Sequence, residues 1–342
     1  MKWLRVFAGS AVLLCAFSVQ AQEIMLKVHH PLPSTSTAHQ KVLEPWCAKI
    51  TAESKGRIKC QIYPSMQLGG SVPQLYDQVK DGVVDVIWTV AGYSAGRFPL
   101  VEVFELPFIM HNAEASSKAL WDYVQQYDAD EFKDVHLIAF HLHGGGVFHM
   151  IKKPIVHRAD LKGMKVRAPT RQTTKMLAAL GATPVGMPVP QVPEALQKGV
   201  IEGTILPYEV MPALKVDELT RFHSGPDESQ PLIYNSVFII AMNKAKYESL
   251  GPDLRKVIDA NSGLATSAWL GKTQQSNDPN GRKSATDRGN TIHTFSAAET
   301  AEFVKLSSKV DDEWVADMDK RGFKGAALLE SAKALIAKHG KG

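Results

Sequence analysis

Long apolar runs are missing from this chain beyond its first residues: no later segment reaches the roughly 18 consecutive apolar residues that a membrane-spanning helix needs. Cysteine is scarce, three residues in 342, at positions 15, 47 and 60. Neither their spacing nor their neighbours suggest a metal cage, and no metal or other cofactor is expected. Basic runs with interleaved aromatics are lacking too, and the formal net charge is only +4. Nucleic acid is therefore not an expected partner. These absences argue against an integral membrane protein, a cysteine-metal domain and a polyanion binder.

What is present begins with a basic start, Met1-Lys2-Trp3-Leu4-Arg5, an apolar core from Val6 to Phe17, and compact residues at Val19-Gln20-Ala21. That order reads as a signal peptide over 1–21, its apolar run too short to anchor. Lipidation at Cys15 is the weaker alternative, because Leu14 is bulkier than the residue that usually precedes a lipidated cysteine. Cleavage removes Lys2, Arg5 and no acid, so the net charge of +4 falls by two to +2. The 321 residues left of 342 exceed what one hydrophobic core usually organises, and two lobes are expected. In an oxidising compartment the remaining pair, Cys47 and Cys60, invites a bridge between a first helix (37–53) and the strand after it (57–63); two buried free thiols are the alternative.

Residues 24–29, 37–53 and 58–63 read as strand, helix and strand, the start of a parallel sheet. Gly69-Gly70-Ser71 precedes a helix over 72–80, with Ser71 as its N-cap. The run Leu75 to Asp85 is echoed by Glu194 to Glu202, each a helix, a glycine stop and a strand entry. Residues 83–90, 101–104, 137–143, 164–168 and 234–242 have strand character. A long helical pattern over 245–278 is interrupted near Gly251-Pro252 and Gly263.

Three motifs carry possible chemistry. Gly92-Tyr93-Ser94-Ala95-Gly96 is a literal Gly-x-Ser-x-Gly after a strand, and His143-Gly144-Gly145-Gly146 resembles an oxyanion loop. Their order is wrong for a serine hydrolase, because the oxyanion loop should precede the nucleophile, and no helix starts directly after Ser94. An enzyme is not expected. His141, His143 and His149 cluster around the glycines, but zinc needs three or four converging ligands, and no acid or cysteine joins them. The third feature is Arg167, near the carboxyl end of a strand that Pro169 stops. Ligands of open α/β sheets bind beyond strand carboxyl ends, and a guanidinium grips a carboxylate through two parallel hydrogen bonds.

Around that arginine, Leu161-Lys162-Gly163-Met164-Lys165-Val166-Arg167, Leu180-Gly181-Ala182, Met187-Pro188 and Ala195 to Gly203 resemble the substrate-binding subunit of tripartite ATP-independent periplasmic (TRAP) transporters. Gln67-Leu68-Gly69-Gly70, Val83-Val84-Asp85 and Phe104-Glu105-Leu106-Pro107-Phe108 fit the same family in the right order, covering nearly all of the chain after 21. The resemblance implies an α/β, two-lobed periplasmic binding protein fold with discontinuous lobes, hinge strands and a long lobe-spanning helix. Lobe 1 is then expected over 22–146 and 235–275, lobe 2 over 147–234 and 276–342.

It further implies a monomer in the periplasm that closes over a carboxylate and delivers it to membrane permease subunits, with no ATPase. Arg167 matches the family's carboxylate-pairing arginine. Trp88, Tyr93, Phe148, His149, Val189, Leu206, Tyr208 and Asn235 are expected to join it at the ligand. Two departures bear on the ligand: Val147 stands where relatives that bind very polar acids often carry a second arginine, and Thr204-Ile205-Leu206-Pro207 replaces a frequent Gln-Glu-Asn-Pro. The expected ligand is an organic monocarboxylate, aromatic or a 2-oxo or 2-hydroxy acid. A dicarboxylate fits only if Arg171 or Arg97 turns inward; it and pyroglutamate are the alternatives.

Overall fold

The computed structural model describes residues 23–227 and 229–340, so the expected signal peptide lies outside the described residues. The chain starts one sheet with β1 (Ile24–His29), β2 (Ile58–Tyr63), β3 (Val86–Val90) and β4 (Val135–His141). It builds a second with β5 (Val147–Met150), β6 (Lys165–Ala168), β7 (Thr183–Gly186), β8 (Gly203–Leu206) and β9 (Phe222–Gly225). It then returns to the first sheet as β10 (Phe238–Asn243) and to the second as β11 (Thr291–Thr294). The strand orders are β2-β1-β3-β10-β4 and β11-β9-β5-β8-β6-β7. This is the two-lobed α/β architecture expected from the sequence.

The expected βαβ start is present. β1 pairs in parallel with β2 and β3, while β10 runs antiparallel between β3 and β4. The short runs that the chain makes between sheets, 142–146 and 226–237, are the two backbone crossings. One expectation fails here: Val101–Glu105 is a tight helical turn, not a strand. Its five residues are all buried, so the apolar run reflects burial rather than strand period.

Helical continuity supplies the remaining bridge. Gly263–Gln275 packs on the helix Ala113–Tyr127 beside the first sheet, and Asp278–Asp287 follows after a two-residue break with Pro279 in its first turn. Both segments rest on glycine. A Cβ at Gly271 would strike Ser117 and the Ala113 carbonyl, and one at Gly281 would fall on the Tyr208 carbonyl. The C-terminal helix Gly325–His339 packs back against Ala113–Tyr127, with His339 Nε2 2.9 Å from an Asp122 oxygen. A boundary placed at 276 therefore separates this helix from its own packing partner.

Cys47 and Cys60 are bridged, with Cα atoms 5.8 Å apart, joining the helix Glu44–Glu53 to β2. Closing a loop of this length restricts the unfolded chain by about 3 kcal/mol. The paired variant Cys47→Ser with Cys60→Ser should lose roughly that much in urea unfolding. A midpoint equal to the parent's would mean that the bridge adds nothing.

Candidate functional site

The two sheets bring their loops to a shared cavity. From the first sheet come Trp88 and Val90 of β3, Phe238 of β10, Pro31 and Leu32 after β1, and Tyr93 after β3. The second sheet contributes Arg167 and Pro169 at the end of β6, then Leu206, Pro207, Glu209 and Val210 at the end of β8. His143, Tyr234 and Ser236 enter from the crossings, and Val189 from the turn after β7.

The first sheet makes one wall an aromatic plate. Phe238 is opposite Val90 on β3 and His141 on β4, so alternation places Trp88, Phe238 and His141 on one face. Trp88 and Phe238 stack at 4.7 Å between centroids, and Phe238 and His141 at 4.8 Å. The Trp88 indole N–H donates to His141 Nε2 at 2.8 Å, and His141 Nδ1–H in turn donates to the Leu142 carbonyl. Trp88 therefore offers its ring to the cavity and keeps its only polar atom for the protein.

Arg167 is buried, 1% exposed. Its Nε donates to the Met187 carbonyl at 3.0 Å, Nη1 to the Ile205 carbonyl at 3.1 Å, and Nη2 lies 3.5 Å from the Tyr93 hydroxyl. All three partners are neutral oxygens. They fix the guanidinium plane without neutralising it, and a buried positive charge so held can receive an anion. Tyr93 also accepts the Val189 N–H at 3.1 Å, so one hydroxyl links the β3 end to both Arg167 and the turn after β7.

The other two arginines considered do not line the cavity. Arg171 is bound to Glu102 and Asp317, and Arg97 donates to Asp77 at 2.7 Å. A second carboxylate on the ligand would thus find no second arginine.

Of the residues expected at the ligand, Arg167, Trp88, Tyr93, Val189 and Leu206 line the cavity. Phe148, His149, Tyr208 and Asn235 do not. Phe148 is fully buried against Phe303, 6.3 Å between centroids. His149 spends Nε2–H on the Leu206 carbonyl at 3.0 Å, and its Nδ1 meets His223 at 2.6 Å, pinning three strands together. Tyr208 points into a separate cleft beside the long helix. Asn235 binds both the N–H and the carbonyl of His143, bracing the crossings. Tyr234 and Ser236 line the cavity in place of Asn235, and Pro207 and Glu209 in place of Tyr208, whereas none of residues 147–149 reaches it.

Four polar liners escaped the sequence reading. His143 donates Nδ1–H to the Gly144 carbonyl, leaving Nε2 as an acceptor. Burial pushes its pKa down to about 4, opposed by that hydrogen bond and assisted by Arg167. Tyr234 donates its hydroxyl to the Ile205 carbonyl, 3.1 Å, sharing that oxygen with Arg167. Ser236 and Glu209 complete the set. Only His143 had a local signal, the run of three glycines; a Cβ at Gly146 would overlap the Tyr234 ring.

Ser94 donates to the Pro73 carbonyl at 3.1 Å rather than meeting a base, and no group of three metal-binding side chains occurs among the described residues.

Comparison with known proteins identifies the family. The family described as bacterial extracellular solute-binding protein, family 7, matches residues 28–317. A TRAP solute-binding protein from Rhodoferax ferrireducens T118, solved with copurified benzoate, is 55% identical with a TM-score of 0.92, covering 93% of this chain and 99% of its own. A marine metagenome TRAP solute-binding protein specific for aromatic acid ligands, solved with 3-hydroxybenzoate, is 48% identical with a TM-score of 0.91 over the same shares. The outer membrane transporter protein TsaT of Comamonas testosteroni is 27% identical across 97% of this chain and 98% of its own.

Proposed function

This chain belongs to family 7 of the bacterial extracellular solute-binding proteins, as a TRAP transporter substrate-binding subunit, and we propose that it captures an aromatic monocarboxylate in the periplasm. The carboxylate meets Arg167 and the ring lies on the Trp88–Phe238 plate. The loaded protein then delivers it to the transporter's membrane permease subunits. The observation that carries this reading is a buried guanidinium whose partners are all neutral, opening on a wall of aromatic faces. The relatives that copurified with benzoate or were solved with 3-hydroxybenzoate support the same chemistry.

The physical logic is a division of labour. Charge-assisted bonds at Arg167 select the carboxylate, and apolar burial of the ring supplies affinity at about 25 cal/mol per Å². Binding holds the two sheets together, because Arg167 belongs to one and Trp88, Phe238 and Tyr93 to the other; hinge closure over the ligand follows.

The test is thermal unfolding of ligand-stripped protein without residues 1–21, against benzoate, 3-hydroxybenzoate, mandelate, a 2-oxo acid, pyroglutamate and succinate. A ligand at 100 times its Kd stabilises by about 2.7 kcal/mol. The aryl acids should raise the midpoint and quench Trp88 fluorescence. A response to succinate or pyroglutamate with none to any aryl acid would overturn the reading.

A further inference from the structure

Glu209 is an acidic residue lining a cavity proposed to receive an anion, and the functional reading gives it no task. It follows β8 by three residues and retains partial exposure, consistent with an edge on the cavity. Its backbone N–H donates to Asp278 Oδ1 at 2.9 Å. With the Gln274 amide turned to satisfy both groups, its nitrogen donates to Glu209 Oε1 at 2.8 Å and Oε2 at 3.2 Å. The Thr37 side chain adds a further hydrogen bond. Gln274 is itself buried, 1% exposed, so the carboxyl is held on a rigid support.

Two polar poles result, and they share no hydrogen-bond partner. Arg167 is bound by Met187, Ile205 and Tyr93; Glu209 by Gln274, Thr37 and Asp278. The Arg167 charge acts on His143 and Tyr234, and the Asp278 charge acts on Glu209 and also on Tyr234, which is within reach of both poles. Burial, then Asp278, pushes the Glu209 carboxyl up to about 8, against the Thr37 hydrogen bond, so it carries its proton at neutral pH. A carboxylic acid in that state can give a hydrogen bond to a ligand oxygen and accept one from a hydroxyl. Beside Asp278 it is a poor place for a second carboxylate.

We propose that Glu209 is a specificity-determining residue that recognises a hydroxyl on the ring, remote from the ligand's carboxylate, so that the preferred ligands are hydroxyaryl acids. This rests on the functional reading above, with Arg167 holding the carboxylate and Glu209 the far substituent. A benzoate without the hydroxyl leaves Glu209's polar edge without its partner in a closed cavity, and sites built to bond a hydroxyl reject analogues that lack it.

The experiment is calorimetric titration of benzoate, 3-hydroxybenzoate, 4-hydroxybenzoate and terephthalate into the parent, Glu209→Gln and Glu209→Leu proteins. In the parent, at least one hydroxybenzoate should bind about ten-fold or more tighter than benzoate, and terephthalate more weakly than either. Glu209→Gln, which keeps hydrogen-bonding capacity, should retain most of the preference. Glu209→Leu should reduce it to within about three-fold while still binding benzoate, which also reports that the variant folds. A preference unchanged in Glu209→Leu, or a parent that binds benzoate as tightly as both hydroxybenzoates, overturns the role of Glu209 and leaves the aryl-acid reading standing. No binding of any of these acids to the parent overturns that reading and this inference with it.

Discussion

Arg167→Met should abolish the response to aryl carboxylates while leaving the ligand-free protein folded. Two charge-assisted hydrogen bonds to a carboxylate contribute at least about 3 kcal/mol, so affinity should fall about a hundred-fold or more. Stability should move far less. The substitution removes a buried charge whose partners are neutral; the Ile205 carbonyl keeps its bond from Tyr234 and the Tyr93 hydroxyl its bond from the Val189 N–H, while the Met187 carbonyl loses its side-chain donor. Methionine also approximates the arginine stem in volume. The measurement is paired: midpoint of unfolding without ligand, then the shift with saturating benzoate or 3-hydroxybenzoate. Retained affinity would remove Arg167 from the carboxylate. A collapsed ligand-free midpoint would instead show that its main task is to tie β6 to β8 and the turn after β7.

The second large effect is the dependence of ligand-free stability on pH, which should pass through a maximum near pH 6.5. Burial drives His30 and His141 down to about 3 and His143 and His223 down to about 4; it carries His149 well below its ordinary value too. Each binds fewer protons folded than unfolded between those values and about 6.5. Their contribution is thus complete above pH 6.5 and lost as pH falls, by up to about 1.4 kcal/mol per pH unit per group.

Buried acids act in the opposite sense. Burial, with Glu102 close by, lifts Glu105 to about 8, and Glu209 is lifted as far. Asp128 is raised as well, by burial and by Glu131. These hold protons in the folded state that the unfolded chain has released, so their contribution is greatest below pH 4.5 and declines as pH rises toward 8. Below 6.5 the histidines oppose and outnumber them; between 6.5 and 8 the acids act alone. Urea midpoints from pH 4.5 to 9 would check this. A continued rise in stability through pH 8 would mean that the carboxyls are ionised when folded, and Glu105→Gln should flatten the alkaline limb.

The resemblance carried most of the fold, and local physics explains why it could. β1, β2 and the helix between them follow from period and glycine position, and the breaks at Gly251-Pro252 and Gly263 are visible because those residues interrupt helices regardless of context. Pro169 placed Arg167 at a strand end, and the family resemblance singled it out. The bridge between Cys47 and Cys60 was legible because removal of the expected signal peptide would leave one pair.

Side-chain direction at the crossings was not legible. Around 234–236 a shift by one residue exchanges cavity for core, and at 147–149 a register fixed by partners far along the chain, Phe148 opposite Ile205 and Ser224, leaves none of the three at the cavity. Hence Phe148, His149 and Asn235 became supports, and Tyr234 and Ser236 became liners. Glu209 was hidden for another reason: nothing near it in sequence marks a surface glutamate as one that will be covered by Gln274 and Thr37, 65 and 172 positions away.

The sequence by itself determined that this chain is an α/β solute-binding protein and singled out Arg167, because periodicity, punctuation by proline and glycine, and family motifs are properties of contiguous residues. Only the tertiary structure decided what surrounds that arginine. The aromatic plate, the neutral partners that leave its charge available and the second pole at Glu209 each require side chains from strands separated by tens to hundreds of residues, and their coincidence is a property of packing.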